Sequence, residues 1–443
     1  MLAVMLVLAA CSGGGSGGGA SATTSPSPTP TPTATPTPSP TPSPTPEPPP
    51  EPVELTAYSN VSDADFDARF AQAAIKKYPH LSFQHYTSAI HNLRDTIDID
   101  LVIPDIGYSV NVADYRQGFL PNDLARDITD LAAAAGFDLN QFDPGMLQTI
   151  RNLGGGKLIG LPNTTNPLVL FYNKDIFDAF GVDYPKDGMT WDEVYELAQK
   201  VTGEVNGQTY IGFGSFHSFV FNMNPQSLPQ IDPETGQASV NNEEFKKLVE
   251  NLLRFYRLPG VADGYNPEGT GNDDLVRFYE KKDVAMIVSL LSSVNRPGFL
   301  DLNWDMVTAP TFPELPGVGY QDGINFNFIS KQSEHPEEAF RALAEYYSEE
   351  NQIELAKLMI VTPLKNEKVR QALGQAPQLQ GKNINAVYGL TFAPTPTPHP
   401  KIQTNAQNMF AAHFSKLIAG VYSSVDEMLA AAEAAINEAI AAE

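Results

Sequence analysis

The residues whose types could do chemistry fall at spacings that do not complete a familiar site. Gly154-Gly155-Gly156-Lys157 has the glycines and lysine of a phosphate loop, but the glycine interval of that loop is missing and Leu158 stands where Ser or Thr would meet a metal, so the stretch reads as a glycine turn. His80, His85 and His91 follow one another at intervals of five and six, which suits neither one helical face nor a tight ligand loop. Tyr346-Tyr347 is a phenol pair of the kind that can hold ferric iron, yet Tyr347 continues the apolar face of Phe340 and Leu343, which favours core packing. Asp273-Asp274 lacks a second carboxylate whose placement would make a glycosidase pair. No G-x-S-x-G elbow occurs, and the single cysteine, Cys11, can form neither an internal disulfide nor a thiolate cluster. The expectation is therefore a chain without catalytic residues, metal site or cofactor.

The elements that would position a site are clearer. "VELTAYS", "LSFQHY", the run within "DIDLVIPDIG", "KLIGLP", "PLVLFYN", "TYIGFG" and "VAMIVSLL" read as strands of continuous apolar character. Between them lie amphipathic helices: "DFDARFAQAAIKKYP", "TWDEVYELAQKV", "NEEFKKLVENLLRFYR", "PEEAFRALAEYYS" and the last eighteen or so residues. Thr190 with Glu193, and Ser424 with Glu427, have the spacing of capping boxes. This alternation predicts α/β lobes with ligands at the carboxyl ends of the strands, and no fixed-period repeat suggests a solenoid. At 443 residues more than one lobe is expected. Twenty-eight Lys and Arg against 52 Asp and Glu give a net charge of −24, which argues against nucleic acid as a partner and against a basic patch on lipid.

The N-terminal region is different in kind. Residues 1–10, MLAVMLVLAA, are apolar but about half the length that spans a bilayer. Leu8-Ala9-Ala10-Cys11 resembles a bacterial lipoprotein cleavage site, which implies that residues 1–11 are a signal peptide ending at a lipidated Cys11. Two or more acyl chains would hold the protein firmly, by lipid anchor only, on the outer face of the cytoplasmic membrane. Residues 12–52 are Gly/Ser-rich and then alternate Pro with Ser or Thr, a composition that cannot bury a core and is expected to be a disordered tether. About thirty residues of polyproline II would reach roughly 90 Å.

The block "GKLIGLPNTTNPLVLFYNKDIFDAFGVDYPKDGMTWDEVYELAQKVT" resembles the central signature of the family 1 extracellular solute-binding proteins of ABC transporters. "FYEKKDVAMIVSLLSSV", "WDMVTAPTFPELPGVG", "ISKQSEHPEEAFRALAEYYSEENQIELAK" and "SVDEMLAAAEAAINEAIAAE" fit the same family. The resemblance implies an α/β two-lobe periplasmic-binding-protein fold of type II, with lobes joined by hinge strands around a ligand cleft. Residues 53–165 plus about 311–349 would form lobe 1, and 166–310 plus about 350–443 lobe 2 with the C-terminal helices. The chain would cross near 163–167 and again near 309–323, where prolines and glycines cluster.

By the same resemblance to maltose-binding relatives, the cleft residues would be Ser59, Asn60 and Asp63, then Pro104 and Asp105, then Asn166, then Phe216, His217 and Phe219, then Ser289 and Ser292, with Asp322 and Asn325 at the returning crossover. Amides, hydroxyls and carboxylates can satisfy sugar hydroxyls, and rings can cover the apolar face of a pyranose. Only Trp191 and Trp304 are present, both in positions that read as structural, so stacking would fall to Phe216, Phe219, Tyr58, Tyr108 or Tyr265. A second Pro/Thr stretch, "APTPTPHPK" at 393–401, departs from the family pattern. The implied function is a monomeric, lipid-anchored receptor that captures an oligosaccharide and delivers it to ABC permease subunits. The alternative is a receptor for a metal, an anion or another small solute, or a sensory binding subunit.

Overall fold

The computed structural model describes residues 50–59, 61–87, 105–111, 123–323, 325–397, 399 and 405–443. Cys11, the tether up to residue 49, Asn60, His91, Pro104 and the apolar run ahead of Asp105 lie outside them. The strands, in chain order, are β1 (Val53–Ser59), β2 (Leu81–Thr87), β3 (Ile106–Asn111), β4 (Leu161–Thr164), β5 (Leu168–Asn173), β6 (Gly203–Val205), β7 (Gln208–Tyr210), β8 (Gly214–Ser215), β9 (Met286–Leu290), β10 (Trp304–Thr308), β11 (Val318–Gln321), β12 (Asn325–Ile329) and β13 (Thr391–Ala393).

Two sheets organise them. The first has the order β2-β1-β3-β12-β4, with β1 parallel to both neighbours and the returning strand β12 antiparallel to β3 and β4. The second has the order β10-β5-β9-β8. Its central strand β5, Leu-Val-Leu-Phe-Tyr-Asn, is buried at every position, which is why it reads as an unbroken apolar run and not as an alternation. Each sheet has its own core. Phe66, Phe70, Tyr108, Ile150, Phe328 and Leu343 belong to the first; Phe171, Trp191, Phe213, Phe255 and Trp304 belong to the second, which accounts for both tryptophans.

Capping follows the sequence at one helix and departs at the other. Thr190 and Glu193 form a full capping box at the start of the helix Trp191–Lys200. Ser424 accepts from the Glu427 N–H, but the Glu427 carboxylate takes the N–H and hydroxyl of Ser423 instead of closing the box. Two strands also differ from expectation. "KLIGLP" is extended only from Leu161, and "TYIGFG" is divided between β7 and β8. Gly160 explains the first: a Cβ there would sit 2.3 Å from the Asn327 carbonyl oxygen, so only glycine lets the chain pass so close to β12.

The chain passes between the sheets at residues 165–167 and again between Gln321 and Asn325. Gln321 is tied to the second lobe by its N–H to Met223 O (2.7 Å) and its amide to Asn224 O (2.9 Å). Tyr320 packs in the second core, so residues 311–321, expected in the first lobe, stay with the second and the return is made over a few residues only. A third connection follows the helix Glu349–Lys357, where Val361 O accepts from Thr165 N (3.2 Å) beside the first crossing. The start of the second Pro/Thr stretch lies against both lobes: Asn152 donates to Thr395 O and Ser227 to Pro394 O, each at 2.7 Å.

Candidate functional site

A cavity of about 270 Å³ opens where these connections meet. The first lobe lines it with Val61, Arg69, Tyr108, Ser109, Asn163, Thr164 and Asn325; the crossing adds Thr165 and Asn166; the second lobe adds Leu291, Ser292 and Asn295; residues 359–361 close one side. Most of these positions are the carboxyl ends of β4 and β9, the middle of β3, the turn after β1 and the first residue of β12, while Arg69 comes from a helix and residues 359–361 from a helix end. Ligands in open α/β sheets gather at such strand ends.

One buried amide sets this geometry. Asn327, fully buried on β12, accepts from Ser109 N (2.9 Å) and from Asn163 Nδ2 (2.7 Å), and its own Nδ2 donates to Tyr347 Oη (3.1 Å). Tyr346 Oη donates to Asn163 Oδ1 (3.1 Å), and Tyr347 Oη to Leu161 O (3.2 Å). The tyrosine pair thus stays in the core, as its spacing suggests, and also fixes the cavity wall. Ser109 is held at φ 53 where the register of β3 against β12 slips, a strained turn that Asn325 also reaches through Ser109 Oγ (3.3 Å). Burial pushes the Tyr108 phenol up to about 12, so it is neutral.

Across the crossing, Asn166 and Ser292 exchange hydrogen bonds: Asn166 Nδ2 donates to Ser292 Oγ (2.7 Å), and Ser292 N donates to Asn166 Oδ1 (3.0 Å). Among the lining residues Arg69 alone carries a formal charge, and Asp65 balances it at 2.6 Å. The lining therefore combines amides and hydroxyls with a comparable share of apolar side chains and carries little net charge. Such a surface suits a neutral polyhydroxylated molecule.

Of the residues expected from sequence, Asn166, Ser292 and Asn325 are brought together here. Ser59 and Asp63 lie just behind: Ser59 Oγ meets His85 Nε2 and His85 Nδ1 meets Asp63 Oδ1, both at 2.8 Å, while Val61 N donates to Ser59 Oγ. This has the order of a Ser-His-Asp triad, but Ser59 is completely buried and Phe66 stacks on the imidazole at 4.2 Å, so the chain orients the Val61 turn.

The others stand elsewhere. Asp105 precedes β3 and accepts from Thr56 N (2.9 Å) and Oγ1 (2.8 Å), which locks the end of the sheet remote from the cavity, because the strand begins after this residue and not before it. His217 is buried in the second core against the helix Ala406–Ile418, bonded to Ser415 Oγ (3.0 Å), and desolvation lowers its pKa to about 3. Ser289 pairs with Ser293 (2.9 Å) inside β9's buried face. Phe216 and Phe219 form an edge-to-face pair at 4.6 Å against the second core and do not line the cavity. Tyr58 is buried, and Tyr265 packs on Tyr256 at 5.4 Å. Arg69, Ser109, Asn163, Asn295 and Met359 also line the cavity and do not stand out in the sequence. The polar run "PNTTNP" signalled the crossing, but the others come from a helix, a slipped register and a helix end, for which the sequence offers no period.

Residues 100–353 match the family of bacterial extracellular solute-binding proteins, more than half of the chain, and the chain belongs to that family. It is 34% identical over 128 residues to the sn-glycerol-3-phosphate-binding periplasmic protein of Brucella abortus (strain 2308), covering 29% of each chain, so it spans under a third of that relative. Identity to the arabinooligosaccharide-binding protein of Bacillus subtilis (strain 168) is 25% over 288 residues, 61% of this chain and 63% of the other. Among solved structures, a sugar transporter from Rhizobium etli in an open conformation superposes with a TM-score of 0.69 at 17% identity, covering 87% of this chain and 99% of that one. The sugar-binding protein MalE from Xanthomonas citri gives 0.66 at 16%, covering 88% and 98%. The two-lobe fold is shared with both.

Asp322, at the returning crossing, is buried, and neither carboxyl oxygen meets a hydrogen-bond partner among the described residues. Burial first, and the nearby Asp143 charge second, hold its pKa well above the usual carboxylate range. A raised folded-state pKa means that the folded chain keeps this proton after the unfolded chain has lost it, so stability is lost as pH rises from about 4 through the folded value. Asp322→Asn removes that dependence. Thermal unfolding between pH 4 and 9 should show the variant gaining on the native protein as pH rises; a constant difference would mean that Asp322 is ionised in the fold.

Proposed function

We propose that the protein is the substrate-binding component of an ABC importer, that it captures a neutral carbohydrate, oligosaccharide in size, in the cavity between its lobes, and that it delivers it to membrane permease subunits. The observation that carries this is the lining itself: amide and hydroxyl side chains from both lobes and from the crossing, with the only charged side chain already paired. Two relatives or structural neighbours named for arabino-oligosaccharide and for sugar binding support the same solute class. A solute touching both lobes would favour their approach through its differential affinity for the closed state. The role is binding rather than catalysis: among the described residues, the Ser59-His85-Asp63 arrangement keeps its serine fully buried.

We further propose that Cys11 is lipidated, that residues 12–52 tether the lobes away from the membrane, and that the receptor works as a monomer on the extracellular face. No described helix is long and apolar enough to cross a membrane. Cys11→Ser should move the protein from the membrane fraction to the medium or periplasm; continued sedimentation with membranes would place the anchor elsewhere.

The solute is testable by thermal shift against arabino- and malto-oligosaccharides, sn-glycerol-3-phosphate, amino acids and divalent metals. A solute at a hundred times its dissociation constant adds about 2.7 kcal/mol to stability. The expected result is a saturable shift with one saccharide class, weakened by about 1 to 3 kcal/mol in Asn166→Ala and unchanged in Phe216→Ala. A response to sn-glycerol-3-phosphate or metal alone would turn the reading toward an anion or metal receptor.

A further inference from the structure

Left-handed backbone at a residue with a side chain is costly, and where it persists is informative. Six described residues other than glycine have positive φ: Ser109, Asp123, Asn206, Ser227, Lys282 and Met359. Asn206 precedes Gly207 in the two-residue hairpin of β6 and β7, where both central residues must be left-handed. Lys282 ends the helical segment Arg277–Lys281. Ser109 and Met359 are the two that line the cavity, and the Asn327 amide accounts for Ser109. Met359 has no such local reason.

Met359, at φ 66, closes the helix Glu349–Lys357: its N–H donates to Ala356 O (3.0 Å), and Ile360 N reaches back to Leu355 O (3.2 Å). This is the helix-ending motif whose left-handed position is normally glycine. Methionine has no polar group to bond the local backbone there, and it is half-buried at the cavity wall. Of the other apolar lining residues, Val61 and Ile360 are half-buried but carry β-branched side chains that are stiff at the first rotatable bond. Tyr108, Leu291 and Val361 are almost wholly buried, and both tryptophans lie in the second core. A flexible thioether with three rotatable bonds is the side chain best able to reach and fit such a face.

We infer that Met359 occupies this glycine position because its side chain is the apolar platform for the bound solute, and that it therefore sets which rings the cavity accepts. The inference rests on the saccharide reading above. It requires two effects of opposite sign from one substitution, which ordinary core packing would not produce.

The test compares the native protein with Met359→Gly and Met359→Leu, by thermal unfolding without solute and by calorimetric titration with arabinotriose and maltotriose. Met359→Gly should raise the solute-free midpoint, since it relieves the left-handed strain, and weaken saccharide binding about tenfold. Met359→Leu, which restores an apolar side chain at the same strain, should bind within about threefold of the native protein. A Met359→Gly midpoint that is unchanged or lower, or saccharide binding equal to the native protein's, overturns the inference alone. Failure of the native protein to bind either saccharide overturns the saccharide reading and this inference with it.

Discussion

The buried amide of Asn327 is the constraint on which the cavity depends. An amide has two donors and two acceptor sites, and in a core each one left unmet is costly. Here the oxygen takes one bond from the backbone of β3 and one from the side chain of Asn163 on β4, while the nitrogen reaches Tyr347 in the chain that follows the helix Pro336–Tyr346. Three separately arriving parts of the first lobe are thereby fixed around one side chain. Two of them, Ser109 and Asn163, line the cavity, so its wall is set from beneath by the buried Asn327 and Tyr347.

The second lobe enters through the crossings. Asn166 lies between Thr165, which is paired to Val361, and Leu168, which begins β5, and its exchange with Ser292 carries the wall from one sheet to the other. The connections are short and converge at one place, so a small change in backbone angle there translates into a large relative movement of the lobes. Charge plays little part: Arg69 is neutralised by its own helical neighbour Asp65, and the dense acidity of the chain as a whole is carried elsewhere.

How much of this was legible in the sequence depended on periodicity. β5, β9 and the helices Trp191–Lys200, Glu243–Tyr256 and Pro336–Tyr346 follow from apolar runs and caps, because burial on one or both faces leaves a repeat in the residues. The cavity residues follow from other causes. Asn166 stood out through its place before the "YNKD" block, whereas Asp105, His217 and Ser289 carried polar side chains that the fold uses to close strand ends and cores. Ser109 and Met359 could not be found at all, since a slipped register and a helix end occupied by methionine are properties of the assembled sheet and crossing and leave no spacing to read.

The most direct measurement is a crystal structure of the protein with the saccharide that stabilises it most. The account predicts the sugar between the lobes, with hydroxyls within hydrogen-bond distance of Asn163, Asn166 and Asn325. Sugar bound instead beside Phe216, His217 and Phe219, away from the crossing, would contradict it.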